Sequence, residues 1–376
     1  LVDDTITRVL RRVSLTDDEA IQTDRKDSLD DIIEKEVEGG DDSYDYEDTA
    51  EESVEESTED EDEPARAHWM QLQKTNKQGI VVQNAFIHIL SKYKHMRPVW
   101  QFGRKIDDSK EDWKTRLYED FYFRHHCASI QAGLTMVMEN KDDPSGMKKL
   151  LNEIGAHHFF YDAAEPHLEV FLEGMIESMK RVLHGVHAVD EDTENSWKYL
   201  LAKVKEHMSE GISIQRSAYM RQCLTVQEMQ TIAEKWKVIE EFGLLEAGQM
   251  MCETAFVTYR DLLNRYHLDM QIPDFHSNQD LFGKFAHLTI LAIDITVKSH
   301  KEGVGFAELP EKVKDYFVAL MMLDVCPTLV RKAFMEGLIS MLSKVLSEPV
   351  SENFMHLWSK LYKVLEQAVV LNIVDY

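Results

Sequence analysis

The chain has little cysteine, little proline and no long apolar run. Its 376 residues include four cysteines and eight prolines. The cysteines are scattered without a CxxC pair, which argues against a disulfide framework and favours reduced thiols in a cytoplasmic protein. No apolar stretch approaches the roughly 18 residues that a membrane-spanning helix needs. No secretory leader is visible either, so we expect neither a membrane segment nor export.

Basic residues are scarce at the N-terminal end. Residues 1–65 contain 26 acidic and 6 basic side chains, and the whole chain has a net charge of −26. This balance argues against nucleic-acid binding, which needs clustered cations. Between Glu36 and Glu63 there is no basic residue at all. Repulsion between like charges and the small apolar content predict that residues 1–65 form a disordered acidic tail.

The tail contains one short motif, RRVSL, at residues 11–15. Two arginines before a serine and an apolar residue after it resemble the recognition pattern of a basophilic protein kinase. A phosphate on Ser14 would add about two negative charges beside these arginines. We therefore predict Ser14 as a regulatory site and a kinase as a partner. The alternative is an ordinary basic cluster in a disordered tail.

After Pro64 the apolar residues recur with a helical period, and no convincing strand is found. Prolines 144, 166, 310 and 327 stand at or near helix starts, where a missing N–H costs little. The sequence predicts an all-α fold. The predicted helices cover residues 80–93, 118–140, 147–160, 166–185, 194–209, 225–241, 247–266, 280–298, 309–323, 327–346 and 351–372.

The later part of the chain repeats the earlier part. FLEGMI, which begins at Phe171, matches FMEGLI, which begins at Phe334, and three further matches occur in the same order with offsets between 159 and 170. Four ordered matches with varying offsets indicate a duplication with loop insertions. We predict two units, residues 66–216 and 222–376. The three further matches pair Phe86 with Phe256, Phe123 with Phe282, and Trp197 with Trp358.

Two histidines of the first unit lie on the apolar faces of predicted helices. His126 shares its face with Ile130 one turn later, and His158 follows Ile154 at the same spacing. Each has a histidine directly before it. Because adjacent helical residues point about 100° apart, we expect only one of each pair to face a common site. We favour His126 over His125 and His158 over His157, and take His88, His167 and His184 as surface or structural residues.

Residues 66–215 resemble a globin of the invertebrate, nematode type. The resemblance rests on Phe86, on MRPVWQF from residue 96, on FRHHC from residue 123, on residues 151–158, on EPHL from residue 165 and on Ser196-Trp197. It implies about eight helices around a haem b. His158 becomes the proximal iron ligand, with a backbone carbonyl as the expected acceptor for its other ring nitrogen. His126 becomes the distal residue or a sixth iron ligand, and Trp100, Phe102 and Ile130 would line the haem.

Residues 222–376 resemble a globin in helix pattern but lack both histidines. Phe285 stands at the distal position, His287 lies two residues off that face, and residues 309–326 contain no histidine. Cys326 lies past the expected position of an iron ligand. We expect this unit to bind no haem and to fill the vacant space with apolar side chains, because an empty pocket must be packed or collapse. These side chains are Phe285, Phe317, Met321 and Met322.

The sequence favours a cytoplasmic tandem globin whose first unit binds oxygen or another diatomic gas reversibly. The haem-free unit and the acidic tail favour sensing or signalling over bulk transport. We expect no enzyme, since no acid–base pair is dedicated to a reaction. The alternative is a haem-free protein-interaction scaffold built from two helical units. Amphipathic helices allow the two units to dock on one another or the chain to form a homodimer.

Overall fold

The computed structural model describes residues 61–268, 278–301, 306–321 and 327–372. The secondary structure of these residues is helical without a strand, which confirms the all-α prediction. No described helix has both the length and the apolar character needed to cross a bilayer. The predicted disorder of residues 1–60, the Ser14 motif and the residues Met322 and Cys326 lie outside the described residues.

The described helices follow one another with short connections. In chain order they are α1 Glu63–Lys74, α2 Gln78–Lys92, α3 Trp113–Glu119, α4 Phe121–Glu139, α5 Pro144–Phe160, α6 Glu165–Val182, α7 Glu191–Gln222, α8 Val226–Phe242, α9 Leu244–Arg265, α10 Gln279–Lys301, α11 Leu309–Lys312, α12 Lys314–Met321, α13 Pro327–Leu346 and α14 Glu352–Val370.

The structure differs from the predicted helices at four places. Helix α1 was not predicted; it begins inside the supposed tail, with Pro64 in its first turn. Residues 118–140 are split at Asp120, whose carboxylate accepts a hydrogen bond from the Phe123 amide and so begins a new helix. Residues 309–323 form two short helices rather than one. Helix α7 has 32 residues and runs across the predicted end of the first unit at residue 216.

The first unit is built around two tryptophans. Trp69 of α1 and Trp197 of α7 are both 0% exposed, and their ring centres lie 5.7 Å apart in an edge-on contact. The indole N–H of Trp197 donates to Nδ1 of His68 over 3.0 Å, and Nε2 of His68 contacts the carbonyl of His187 over 3.2 Å. This chain of contacts gives partners to the indole N–H of Trp197 and to both ring nitrogens of His68. Sequence patterns did not single out His68, because its partners are distant in the chain.

The second unit repeats this arrangement. Trp236 of α8 and Trp358 of α14 lie 6.1 Å apart. Trp69 donates its indole N–H to Thr135 over 3.1 Å, and Trp236 donates to Asp294 over 2.9 Å. Thr135 and Asp294 are 159 positions apart, the same offset that relates Phe123 to Phe282. The internal sequence repeat therefore corresponds to a repeated packing.

A crossing of two glycines positions helix α5. A Cβ on Gly155 of α5 would lie 2.1 Å from the Met208 carbonyl oxygen, and one on Gly211 of α7 would lie 2.0 Å from that of Asn152. Only residues without a side chain let the two backbones approach this closely. Helix α5, which carries His157 and His158, is therefore fixed on α7.

The two units dock on one another within the chain. Phe159 at the end of α5 and Ile212 and Met220 on the C-terminal half of α7 are buried in the same apolar cluster as Trp358. A second cluster contains Trp69 and the core of the first unit. Helices α5 and α7 thus extend from one core into the other.

The glycine crossing predicts opposite effects for two alanine substitutions. Gly211→Ala must push α5 away from α7, and we expect the free energy of unfolding to fall by about 1–3 kcal/mol. In Gly283→Ala on α10, the added Cβ would meet only the Gln249 side chain at 3.8 Å. Because alanine favours a helix more than glycine does, this substitution should raise the free energy of unfolding by up to about 1 kcal/mol. Urea unfolding of both variants tests the crossing. Equal effects would contradict it.

Candidate functional site

The first unit contains a cavity, open on one side, between α2, α4, α5, α6 and α7. Its volume is about 340 Å³, within the range of pockets that hold small organic ligands or cofactors. Most of its wall is apolar and aromatic, with polar groups at a few places. The cavity wall includes the side chains of Phe86, Trp100, Phe102, His125, His126, Ile130, His157, His158, His167, Phe171 and Lys205.

The five residues predicted for a cofactor site come together at this cavity. His126 and Ile130 reach it from α4, and His158 reaches it from α5. Trp100 and Phe102 approach from the connection between α2 and α3. The structure thus places residues from three separate chain segments around one space.

The ring of His158 is held in one orientation and one tautomer. Its Nδ1 lies 2.7 Å from the carbonyl oxygen of Ile154, one turn earlier in α5. A carbonyl can only accept, so Nδ1 carries the proton and Nε2 keeps a lone pair. Burial lowers the pKa of His158, so the ring is neutral near pH 7. A neutral imidazole with an unprotonated Nε2 is the form that binds a metal ion, and the acceptor is a backbone carbonyl, as expected.

His126 is enclosed by aromatic rings. Its ring centre lies 5.1 Å from that of Phe86 and 5.8 Å from that of Phe102. Burial, followed by the effects of His158 and His125, lowers the pKa of His126 to about 3. The two rings, from different helices, line the same cavity. Both are neutral at physiological pH.

His125 and His157 also border the cavity, so both histidines of each adjacent pair reach its wall. That only one of each pair faces a bound group stays a prediction. The pairs still differ in surroundings. His125 lies 6.0 Å from Phe121, a ring that is 61% exposed, and so occupies the outer rim. In the second pair, it is the ring of His158 that contacts a backbone carbonyl one turn earlier, that of Ile154.

The wall also contains residues that were not predicted as part of the site, among them His167, Phe171 and Lys205. His167, expected at the surface or in a structural role, borders the cavity, and its Nδ1 also accepts a hydrogen bond from the Ala164 amide over 2.9 Å at the start of α6. Burial lowers its pKa to about 4. Phe171 and Lys205 contribute an aromatic and a cationic side chain from α6 and α7. The repeated FLEGMI motif that begins at Phe171 could have marked this residue as part of the site, whereas no sequence feature marks Lys205.

In the second unit, aromatic rings fill the corresponding space. The ring centres of Phe256, Phe285 and Phe334 lie 5.6, 5.7 and 5.9 Å apart in pairs. By the repeat, Phe256 and Phe334 correspond to Phe86 and Phe171, and Phe285 corresponds to His126. Phe285 is 4% and Phe317 2% exposed, as expected for filling side chains, and His287 is exposed. Of Met321 the structure describes only the helical backbone.

Part of the first unit matches a known protein family. Residues 83–208 match the family model for globins. The match includes the cavity residues from Phe86 to Lys205. No curated protein matches the chain. Globins typically bind haem in a pocket between their helices.

Truncation of a side chain should cost more stability in the second unit, where aromatic rings fill the space, than at the cavity of the first unit. Phe285→Ala removes a buried ring from a packed trio, and we expect the free energy of unfolding to fall by about 3–5 kcal/mol. His126→Ala borders an existing cavity, so in the haem-free chain its cost should be smaller, about 1 kcal/mol. Urea unfolding compares the two variants. A larger loss for His126→Ala would contradict this account of the second unit.

The buried histidines predict a loss of stability in acid. The pKa values of His126 and His167, about 3 and about 4, lie below the ordinary 6.5, so the unfolded chain binds more protons below pH 6.5. The contribution of these two neutral histidines to the free energy of unfolding is complete above about pH 6.5. As the pH falls towards the folded pKa, this contribution decreases by up to about 1.4 kcal/mol per pH unit per histidine. His167→Gln should reduce the dependence of the free energy of unfolding on pH by the equivalent of about one bound proton. Urea unfolding of the haem-free chain between pH 7 and 5 measures this dependence. An unchanged dependence would show that His167 titrates normally when folded.

Proposed function

We propose that residues 83–208, which match the globin family model, bind haem b and, through it, oxygen or another diatomic gas. One observation carries the proposal: His126 and His158, from two helices, border the same apolar cavity, and Nδ1 of His158 contacts the Ile154 carbonyl. Haem, when bound, supplies an iron atom that can take up a diatomic gas reversibly.

His158 fits the role of proximal ligand. Its neutral ring presents Nε2, while the hydrogen bond from Nδ1 to Ile154 keeps the ring in place and increases the basicity of the coordinating nitrogen. The glycine crossing beneath α5 fixes the helix that carries it. Each feature reduces the reorganisation that binding requires.

His126 fits the role of distal residue. Its ring is neutral and can donate one hydrogen bond to a polar group inside the cavity. Phe86, Phe102 and Ile130 surround this position with apolar surface and restrict water. His126 would either hydrogen-bond the gas or bind the iron as a sixth ligand, and the second role would favour redox sensing or electron transfer.

We assign the chain to gas or redox sensing rather than bulk transport, and to binding rather than catalysis. The second unit packs aromatic rings at the position that corresponds to the cavity of the first unit, and a transport protein would not need such a unit. The acidic N-terminal segment and the Ser14 motif suit a regulated protein of the cytoplasm. A second candidate is a haem-free scaffold, which the second unit favours because it packs its core without a cofactor.

An absorption spectrum tests the proposal. The chain expressed with haem should show a Soret band in the oxidised, reduced and CO-bound forms. His158→Ala should lose most of this band, because it removes the nitrogen that anchors the iron. His126→Leu should keep haem and change the spectrum of the CO-free forms. The matched control is His157→Ala, which truncates the neighbouring histidine and should retain haem.

Two results would remove the haem assignment: a colourless wild-type chain, or full haem occupancy in His158→Ala. Melting curves with added haemin separate the scaffold from the globin. A ligand present at 1,000 times its dissociation constant stabilises by about 4 kcal/mol, so a haem-binding chain should melt at a clearly higher temperature with haemin. A scaffold should show no shift.

A further inference from the structure

Helix α5 begins in one hydrophobic core and ends in the other. Leu151 belongs to the core of the first unit, while Phe159 is buried in the cluster of the second. The Phe159 ring lies 5.5 Å from the ring of Tyr219 and 5.6 Å from Nζ of Lys363. His158 therefore precedes the residue through which α5 enters the second unit.

The corner between α5 and α6 is closed on His158 itself. The backbone N–H groups of Tyr161 and Ala163 both donate to the carbonyl of His158, each over 3.1 Å. Asp162 stands at the apex with a φ of 58°, a left-handed conformation that a non-glycine residue rarely adopts. A movement of Asp162 would consequently be transmitted to the backbone of His158.

Two cations of the second unit hold Asp162. Its carboxylate oxygens lie 2.6 Å from Nη1 of Arg331 on α13 and 2.5 Å from Nζ of Lys363 on α14. Burial would raise the pKa of Asp162, but these two cations lower it to about 2, so the carboxylate is charged. Glu366 lies 3.5 Å from Arg331 and 3.4 Å from Lys363, which balances the second positive charge. The four groups form one inter-unit ion-pair network.

A second connection holds the other end of the corner. Arg216 of α7 is 2% exposed and contacts both carboxylate oxygens of Glu165, the first residue of α6, over 3.2 and 3.1 Å. Its Nε donates to the side-chain oxygen of Gln367 on α14 over 3.0 Å. Residues 159–165 are thus attached to the second unit directly at Phe159 and Asp162, and through Arg216 at Glu165.

We propose that the second unit is a clamp that positions His158, by holding residues 159–165 through Asp162, Arg331 and Lys363. This inference rests on the proposed function, since it assigns to the haem-free unit the control of how firmly the first unit holds haem. Arg331, Lys363 and Asp162 are positioning residues that act through the α5–α6 corner. By linkage, haem in the first unit would in turn strengthen the docking of the second.

Replacement of Arg331 tests the clamp. In the full chain with haem, Arg331→Gln should accelerate haem loss to an acceptor protein about tenfold, within the 5–150-fold range of coupled sites. The iron–histidine vibration of the reduced protein should also shift, which a loss of stability alone would not produce. Arg331→Lys keeps the charge and should restore both quantities in large part.

Lys148→Gln is the matched control. Lys148 pairs with Glu210 over 3.2 Å at the opposite end of α5 and makes this contact within the first unit. It should leave haem loss within twofold of the wild-type rate. If haem loss and the vibration are unchanged in Arg331→Gln, or change equally in Lys148→Gln, the clamp is wrong although the haem assignment stands.

Hydrogen–deuterium exchange of the haem-free chain separates the clamp from the proposed function. Amides of residues 159–165 should exchange faster in Arg331→Gln than in the wild type, and at the wild-type rate in Lys148→Gln. This result would support the clamp even for a chain that takes up no haem, in which case only the proposed function fails. Unchanged exchange in Arg331→Gln would overturn the clamp.

Discussion

The hydrogen bond between Nδ1 of His158 and the carbonyl of Ile154 is the interaction on which the site depends. It decides the tautomer, and burial keeps the ring neutral, so Nε2 is available to a metal. A histidine that rotated freely would present either nitrogen. Gly155 and Gly211 in turn hold α5 at the distance from α7 that this geometry requires. The site is therefore prepared before any cofactor enters.

The two units show how one helical framework can keep or lose a pocket. Both retain a buried tryptophan pair and the helix order around it. The difference lies at the position of His126, where the second unit has Phe285 in contact with Phe256 and Phe334. These ring contacts fill that part of the core with side chains. This packing leaves the surface of the second unit available for another task, and part of that surface contacts the corner after His158.

Much of the fold and of the site could be predicted from periodicity and spacing. Stripes of apolar residues marked most helices, and they placed His126 with Ile130 and His158 with Ile154 on faces that now border one cavity. The short helix α1 was missed because the acidic segment beside it obscures its start. That His125 and His157 also border the cavity depends on how the helices pack against one another, and no local pattern encodes that packing. The contacts of Asp162 with Arg331 and Lys363 join residues that are remote in sequence and could not be inferred from it.

A crystal structure of the full chain grown with haemin tests the central claim most directly. The account predicts electron density for one haem in the cavity of the first unit, with iron bonded to Nε2 of His158 and Nδ1 still donating to the carbonyl of Ile154. It also predicts that the space around Phe285 in the second unit holds no haem. A cavity without haem, or a haem bonded through a residue other than His158, would contradict the account.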